Sequence, residues 1–308
     1  MAYYPSQNRK KLSVGADGNA LMNLIAILLM IFIVFAFIQV VYTFSFGKEG
    51  SARYHAEVFP YVAMPADFGT LLSRPWTFLT HPFLHDGVLT MLSAGLWLWA
   101  FGYIYQDLTG YRKLIPLFLY GSYAGAAAYL LACNLIPGLH AQAGGLLLLG
   151  AGNGVMAIAV ATAVLAPNFR IFPMLNGGIP LWVLTLIYAI IDLATIPYEM
   201  PGLHIARLAA AGMGFLFQSQ AARDRDWSTP LNRAWDWMTN LFNPDAPGKR
   251  TRKDELYYKA TVPPFRKQGN YTQQRVDEIL DKINQKGFKS LTEEEKEILK
   301  RASSDGNI

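Results

Sequence analysis

The stretch from Leu21 to Phe44 constrains the fold more than any other part of the sequence. It holds 24 consecutive residues without a single Asp, Glu, Lys or Arg. The hydrocarbon core of a bilayer is about 30 Å thick, and a helix of roughly 20 apolar residues crosses it. The run is too long for a cleavable signal peptide and lacks a small-residue cleavage site. The sequence therefore predicts a membrane protein whose first span is this stretch.

Five further apolar segments follow, and only 16% of the residues are charged, against roughly 25% in soluble domains. Small residues recur in these segments, which favours close contact between membrane helices. The sequence predicts an all-α polytopic membrane protein with six transmembrane helices. The five additional predicted spans are Val88–Tyr105, Leu114–Ile136, Leu146–Ala166, Ile179–Tyr198 and Leu203–Phe217.

Positive charges near the ends of the spans predict the orientation. We expect both termini in the cytoplasm, residues 1–20 as a cytoplasmic segment, and the protein in the plasma (inner) membrane. The loop Ser45–Arg74 is expected to pack on or partly into the membrane surface, and a disordered loop is the alternative. The basic residues assigned to the cytoplasmic side are Arg9-Lys10-Lys11, Arg112-Lys113, Arg170 and Arg223/Arg225.

The distribution of charge also divides the chain. Residues 21–220 contain seven Lys or Arg and seven Asp or Glu, whereas residues 221–308 contain seventeen and fourteen. This shift predicts a membrane domain and a cytoplasmic tail. The net charge of +5 follows membrane topology and forms no single basic face, so the predicted partner is the lipid bilayer and not nucleic acid. The single cysteine, Cys133, supports neither a disulfide framework nor a thiolate metal cluster, and we predict no cofactor and no metal site.

The first part of the tail is expected to form an interfacial helix. Thr229-Pro230 is a favourable helix start, and an apolar stripe follows over residues 229–243. Such a helix can lie at the membrane surface, and packing against the rest of the tail is the alternative. The basic run Lys249–Lys253 is expected to contact lipid headgroups.

A two-helix module is predicted over residues 271–303. Thr272 caps the first helix and Gly287 ends it. Thr292 and Glu295 form a capping box for the second helix. We expect this module to dock a cytoplasmic protein or to regulate the membrane domain.

The fourth predicted span opens on Gly150-Ala151-Gly152-Asn153-Gly154, and Arg207 lies in the sixth. Other landmarks fall in a fixed order around them. Together they resemble the rhomboid family of intramembrane serine proteases over about residues 70–220, and the tail resembles that of some bacterial rhomboid-like proteins. The resemblance implies a six-helix rhomboid-like bundle. The landmarks are Thr80-His81-Pro82-Phe83-Leu84-His85, the aromatic run Leu96–Gly102, the glycines Gly102 and Gly110, the small residues Ala206, Ala210 and Gly214, and, in the tail, Asp277–Ile283 and Leu291–Lys296.

The resemblance also implies where catalytic residues would lie, and the chain departs from the family at each position. The nucleophilic serine falls on Gly152 and the basic histidine falls on Arg207. The oxyanion-stabilising His and Asn fall on Thr90 and Ala94, and the supporting aromatic falls on Met156. Because a serine protease needs both a hydroxyl and a base, the chain is predicted to be a pseudoprotease without catalytic residues.

Ionisable residues deep in membrane spans are candidates for function, and Asp192 and Arg207 qualify clearly. Their depths are about 9 and 6 Å at 1.5 Å per residue, which is similar enough for pairing. We expect Arg207 to fill the former catalytic cavity, paired with Asp192 or capping carbonyls at the Gly152 end. The alternative is that it snorkels to the outer interface. The expected cavity residues are Arg207, Asp192, His204, Asn153 and Met156.

Three functions remain open at this point. The leading prediction is a non-proteolytic rhomboid-like membrane protein that binds transmembrane segments or partner proteins, because the packing frame is intact around a dismantled site. The second is a rhomboid-type intramembrane serine endopeptidase with a non-standard active site. The third is a structural subunit of an envelope complex. The side chains available to a relocated active site are Thr90, Ser93, Ser122, His85, His140 and His204.

Overall fold

Helices dominate the architecture, and the predicted all-α class is confirmed. The computed structural model describes residues 19–141, 144–171, 178–197, 200–241 and 273–304. The helices are α1 (Ala20–Phe46), α2 (Gly50–Glu57), α3 (Phe68–Ser73), α4 (Thr77–Thr80), α5 (Val88–Thr109), α6 (Leu114–Leu135), α7 (Pro137–His140), α8 (Gly152–Leu165), α9 (Leu181–Ala194), α10 (Pro201–Ala221), α11 (Thr229–Leu241), α12 (Gln273–Lys286) and α13 (Glu293–Ser304). The strands, of two residues each, are β1 (Met64–Pro65), β2 (Leu147–Leu148), β3 (Arg170–Ile171) and β4 (Ile179–Pro180).

Helices occupy all six predicted span positions. Three helical stretches are long and apolar enough to cross a membrane, namely Ala20–Tyr61, Val88–Thr109 and Tyr111–Leu135. The apolar helices α8 and α9 have 14 residues each, which corresponds to about 21 Å and is shorter than a bilayer core. Helix α10 has 21 residues. Six complete crossings therefore stay a prediction.

The prediction that the fourth span begins at Leu146 is wrong. Leu147 and Leu148 form β2, which pairs antiparallel with β1 in the first loop. Gly150 then adopts a φ of 97°, a left-handed conformation that suits glycine and turns the chain into α8. The helix therefore begins only at Gly152.

Helix α8 is the centre of the bundle and packs against α5, α6, α9 and α10. Six of its 14 residues are Gly or Ala, and small residues allow membrane helices to pack closely. A Cβ on Gly121 of α6 would lie 3.3 Å from the carbonyl oxygen of Asn153, and a Cβ on Gly214 of α10 would lie 2.9 Å from Cα of Ala157. These glycines set the spacing of α6, α8 and α10.

The start of α1 is fixed to the end of α5 by polar contacts. The backbone N–H of Leu21 donates to Oε1 of Gln106 at 2.9 Å. Oδ1 of Asn19 accepts from the N–H of Met22 and from Nε2 of Gln106. The first N–H groups of a helix have no acceptor within the helix. The side chains of Asn19 and Gln106 supply acceptors for two of them at the start of α1.

The first loop is folded, which contradicts the alternative of a disordered loop. It contains α2, β1 and α3. Nη1 of Arg74 donates to the carbonyl oxygen of Pro60 at 2.8 Å, and Nε1 of Trp76 donates to that of Tyr61 at 2.8 Å. The guanidinium of Arg74 also lies 4.1 Å from the ring centroid of Tyr61.

Contacts divide the chain into two compact units, with the boundary between Leu241 and Phe242. The predicted helix at 229–243 is present as α11, and it belongs to the first unit. The predicted N-terminal basic residues, the run Lys249–Lys253 and the cap Thr272 lie outside the described residues.

The second unit contains the predicted helix pair α12 and α13. Gly287 follows α12 with a φ of 74°. The capping box of α13 is confirmed, because the N–H of Thr292 donates to Oε2 of Glu295 at 2.9 Å and the N–H of Glu295 donates to Oγ1 of Thr292 at 3.4 Å. Nζ of Lys282 on α12 donates to both carboxylate oxygens of Glu295. This ion pair joins the two helices.

Candidate functional site

The candidate site forms where the first turn of α8 meets α9 and α10. The turn before α8 is held by the N–H of Gly150, which donates to the carbonyl oxygen of His81 at 2.9 Å. Gly152 and Asn153 then occupy the first turn, and Asn153 is fully buried. The first turn of α8 therefore has no side chain at Gly152 and an amide side chain at the next residue, Asn153.

Arg207 of α10 connects three helices at this point. Its Nε donates to Oδ2 of Asp192 on α9 at 2.6 Å. Its Nη1 donates to Oδ1 of Asn153 on α8 at 2.7 Å. The side chains of Arg207 and Asp192 are each 17% exposed, so the alternative in which Arg207 snorkels outward is wrong. The expected pairing with Asp192 is present.

The guanidinium of Arg207 lies directly over Gly152. A Cβ placed on Gly152 would lie 2.6 Å from Nη1 of Arg207 and would overlap Cζ and Nη2. Any larger residue at position 152 would therefore have to displace the end of the Arg207 side chain. Gly152 and Arg207 occupy the site as a complementary pair.

The pairing with Asp192 offsets the charge of Arg207 in a partly buried place. An isolated charge there would cost several kcal/mol, and an ion pair with further hydrogen bonds limits that cost. The amide oxygen of Asn153 supplies one such bond. Nδ2 of Asn153 has no hydrogen-bond partner among the described residues. It lies in close contact with the α6 backbone, since a Cβ on Gly125 would be 2.6 Å from it.

The other predicted site residues are placed differently. Met156 is buried one turn below Gly152, and His204 is half-buried one turn before Arg207 with no hydrogen bond of its own among the described residues. Thr90 is exposed, and its hydroxyl caps α5 by accepting from the N–H of Gly87 at 3.1 Å while it donates to the carbonyl oxygen of Gly87 at 2.7 Å. Ala94 packs at the edge of the core.

Three buried polar side chains lie near the start of α8: His85 and Ser122, which were considered only as parts of a relocated active site, and His81, which was not considered for a site. His85 has two ring nitrogens, and Ser122 a hydroxyl, without hydrogen-bond partners in the described part of the chain. Nδ1 of His81 donates to the carbonyl oxygen of Phe78 at 2.8 Å. Burial lowers the pKa of both His81 and His85 to about 4, so both imidazoles are neutral near pH 7. These side chains are buried by contacts between distant parts of the chain, so no local sequence pattern predicts their burial.

No group of three or more His, Cys, Asp or Glu side chains is arranged to hold a metal ion within the described ranges. The groups that the site brings together are a fixed guanidinium, its carboxylate partner and a buried amide.

Residues 72–221 match the sequence profile of the rhomboid domain. The chain belongs to the rhomboid family. The matched region runs from α3 to the end of α10, so it contains Gly152, Asn153, Asp192 and Arg207, and the predicted rhomboid-like membrane bundle is confirmed. Members of this family are usually serine proteases.

A second match lies in the tail. Residues 265–305 match a family of unknown function, DUF6576. This range contains α12 and α13, so the helix pair is a recurring unit separate from the rhomboid domain. No curated protein is similar enough in sequence to match the chain.

Proposed function

We propose that this rhomboid-family membrane protein is non-proteolytic and binds transmembrane segments or partner proteins. One observation carries the proposal: the guanidinium of Arg207 occupies the space above Gly152, where the family resemblance puts the nucleophilic hydroxyl. The site is filled by a fixed cation instead of a nucleophile and its base. We further propose that the protein resides in the plasma (inner) membrane with both termini in the cytoplasm.

The chemistry of acyl transfer supports a loss of protease activity. Serine catalysis needs a hydroxyl, a base that accepts its proton, and donors that stabilise the oxyanion. Glycine at 152 has no hydroxyl, and Arg207 cannot act as a base because guanidinium stays protonated. Loss of one oxyanion donor alone costs on the order of 10²–10³ in rate, and neither Thr90 nor Ala94 supplies one at this site.

A relocated active site has little support. Ser93 is exposed on α5. The buried hydroxyl of Ser122 forms no hydrogen bond with a described residue, and His81, whose ring interacts with the backbone of Ser122, is not hydrogen-bonded to that hydroxyl. An activated nucleophile is hydrogen-bonded to its base, and neither serine hydroxyl forms a hydrogen bond to a histidine in the described structure.

Client binding is supported by the surface next to the site. One face of helix α9 carries Asp192, which pairs with Arg207. Other residues of the helix form an exposed apolar surface. Exposed apolar helix faces of this kind suit contact with lipid or with another transmembrane helix. The exposed residues of α9 include Trp182, Leu186, Ile187, Ile190 and Ile191.

One experiment tests the loss of catalysis. Purified protein is incubated with a fluorophosphonate probe and, separately, with a generic transmembrane substrate of rhomboid proteases, with an active rhomboid protease as positive control. We expect neither labelling nor cleavage by this chain. Cleavage or labelling that disappears in Thr90→Ala, Ser93→Ala or Ser122→Ala variants would establish the active-protease alternative.

A second experiment tests client binding. A photo-crosslinking amino acid is placed at Leu186 on α9 and, as matched controls, at the exposed apolar positions Leu89 on α5 and Leu131 on α6. We expect discrete membrane-protein adducts from Leu186 and none of the same mass from the controls. The same adducts at all three positions would indicate a non-specific lipid-facing surface. Partners that are captured only when residues 242–308 are present would favour the structural-subunit alternative.

A further inference from the structure

An open cavity of about 450 Å³, lined mostly by polar and charged residues, lies between the turn that joins α5 to α6 and the start of α11. Its size falls within the range of about 300–1,000 Å³ that is usual for ligand sites. Both walls belong to the first unit. The cavity is far in sequence from the candidate site around Arg207, and none of the residues of that site lines it.

Direct contacts hold the two walls of the cavity together. Nδ2 of Asn232 on α11 donates to the carbonyl oxygen of Arg112 at 3.0 Å. Nη1 of Arg112 lies 3.8 Å from Oδ2 of Asp236. Ser228, just before α11, is buried, and both its N–H and its hydroxyl donate to Oδ1 of Asp226. The cavity is therefore a built feature of the fold.

Three cationic side chains line the cavity, Arg112, Lys113 and Arg233, together with two carboxylates. The carboxylates have partners within the walls. Asp226 accepts from Ser228, which with the nearby charge of Lys113 lowers the pKa of its carboxyl group, and Asp236 faces Arg112. Arg233 is exposed and makes no ion pair with any described residue, so its charge is available to a ligand.

The position of the cavity indicates where that ligand comes from. Tyr111–Lys113 joins two helices that are long and apolar enough to cross a membrane, so the cavity lies where membrane spans end. Trp235 and Trp237 of α11 are exposed, and tryptophan is enriched at the headgroup level of bilayers. Basic pockets at the ends of membrane helices suit anionic headgroups.

We propose that this cavity binds the phosphate group of an anionic membrane lipid. Arg233 and Lys113 donate to the phosphate oxygens in charge-assisted hydrogen bonds. The lipid's acyl chains extend along the ends of α5 and α6. The bound headgroup then joins α11 to the membrane domain.

Native mass spectrometry of the full chain tests the site. Protein in detergent is titrated with phosphatidylglycerol and with phosphatidylcholine, and inorganic phosphate is added as a competitor in a separate series. The test variants are Arg233→Gln and Lys113→Gln/Arg233→Gln. The matched control is Arg223→Gln/Arg225→Gln, which removes two positive charges near the end of α10 but does not touch the lining of the cavity.

We expect the wild type to retain phosphatidylglycerol in preference to phosphatidylcholine, and Arg233→Gln to weaken that retention roughly tenfold, as the loss of one charge-assisted bond predicts. The control variant should behave as wild type, and Arg233→Lys, which keeps the positive charge, should keep most of the lipid retention.

Equal loss of lipid retention in the control and test variants would overturn the proposal in favour of general surface charge. Displacement by inorganic phosphate without any lipid preference would overturn the lipid source. Unchanged retention in Arg233→Gln would overturn the site itself, because this exposed residue is not needed for folding.

Discussion

The Arg207 side chain has two partners on two different helices, so its energetic role is tied to theirs. Its guanidinium is fixed by Asp192 and Asn153 and lies against Gly152. A charge in this position is stabilised only while the carboxylate remains. The ion pair and the glycine are thus parts of one arrangement, and a change at any one of them affects the others.

Replacing Asp192 with Asn should destabilise the protein by about 3 kcal/mol, because it leaves the guanidinium of Arg207 partly buried without a counter-charge. The double variant Asp192→Leu/Arg207→Met should recover most of the loss, since two apolar residues leave no uncompensated charge. Unfolding in mixed detergent–SDS micelles measures both effects.

The exposed pair of Arg53 and Glu49 is the matched control for this prediction. Its side chains are 47% and 73% exposed, and exposed ion pairs contribute about 0–1 kcal/mol. Glu49→Gln should therefore change stability little. If Asp192→Asn were as mild as Glu49→Gln, the ion pair at the site would have no structural role.

Sequence reasoning found Asp192 and Arg207 at the residue scale because charges inside spans are rare and their depths can be counted. It did not identify Asn153 as the second partner of Arg207, and backbone carbonyls were expected instead. The reason lies in helix geometry: carbonyl groups of the first turn accept from later N–H groups, as that of Ala151 does from Val155 at 3.0 Å. A side-chain amide is the acceptor that remains.

At the scale of helices, the close approach of α6, α8 and α10 depends on glycines that no side chain can replace. Gly214→Ala should cost about 3 kcal/mol, at the upper end of the range for overpacking. Its Cβ would overlap the carbonyl oxygen of Ala157 and lie 2.8 Å from the carbonyl carbon, and backbone atoms of a central helix cannot move aside cheaply. The same unfolding assay measures the loss.

Gly212→Ala, two residues earlier on α10, controls for helix propensity. No heavy atom lies within 4 Å of a Cβ at that position, so alanine should stabilise the helix by up to about 1 kcal/mol. Equal effects at positions 212 and 214 would contradict close packing at Gly214.

The second unit should respond to pH through Glu295. A side-chain hydrogen bond from Lys282, together with the N–H of Thr292, lowers the pKa of Glu295 below its usual 4.5. A carboxylate with a lowered pKa stabilises the folded state above its unfolded pKa, and this contribution is lost as the pH falls through the lowered value. Glu295→Gln should therefore speed hydrogen exchange in α12 and α13 at pH 7.

The difference in exchange between Glu295→Gln and wild type should disappear as the pH falls well below 4.5, because the wild-type carboxylate is then protonated as well. Glu294→Gln, at the neighbouring position, is the matched control. A difference that persists unchanged at low pH would show that the charge of Glu295 does not stabilise the helix pair.

The pattern of apolar residues in the sequence predicted the existence of the helices more accurately than it predicted their first and last residues. The helix pair of the tail was read from its capping residues, since Thr292, Glu295 and Gly287 act through local geometry. The pairing of β1 with β2 was missed. Its strands have two residues each and pair Met64 with Leu148, so it leaves no alternating pattern and joins distant parts of the chain. The error at the start of α8 follows from that pairing.

At the scale of the whole molecule, composition and contacts place the boundary between the two parts of the chain differently. Charged residues become frequent after Gln220, where the chain leaves the apolar body. The contact boundary lies after Leu241, because α11 packs onto the turn between α5 and α6. Amino-acid composition indicates whether a segment lies in the membrane or in water. It does not indicate which polar segments, such as α11, pack against the membrane domain.

Two truncations distinguish these boundaries. A chain of residues 1–241 keeps the hydrogen bond between Asn232 and Arg112 and the ion pair between Arg112 and Asp236, so its thermal midpoint should stay within about 2 °C of the full chain. A chain of residues 1–220 loses both contacts and the buried Ser228. The lost hydrogen bond contributes about 1 kcal/mol and the exposed ion pair about 0–1 kcal/mol. At roughly 2–4 °C per kcal/mol for a domain of this size, the midpoint should fall by about 2–8 °C. Equal midpoints for the two truncations would mean that α11 adds nothing to the membrane domain, and the boundary read from composition would then be the physical one.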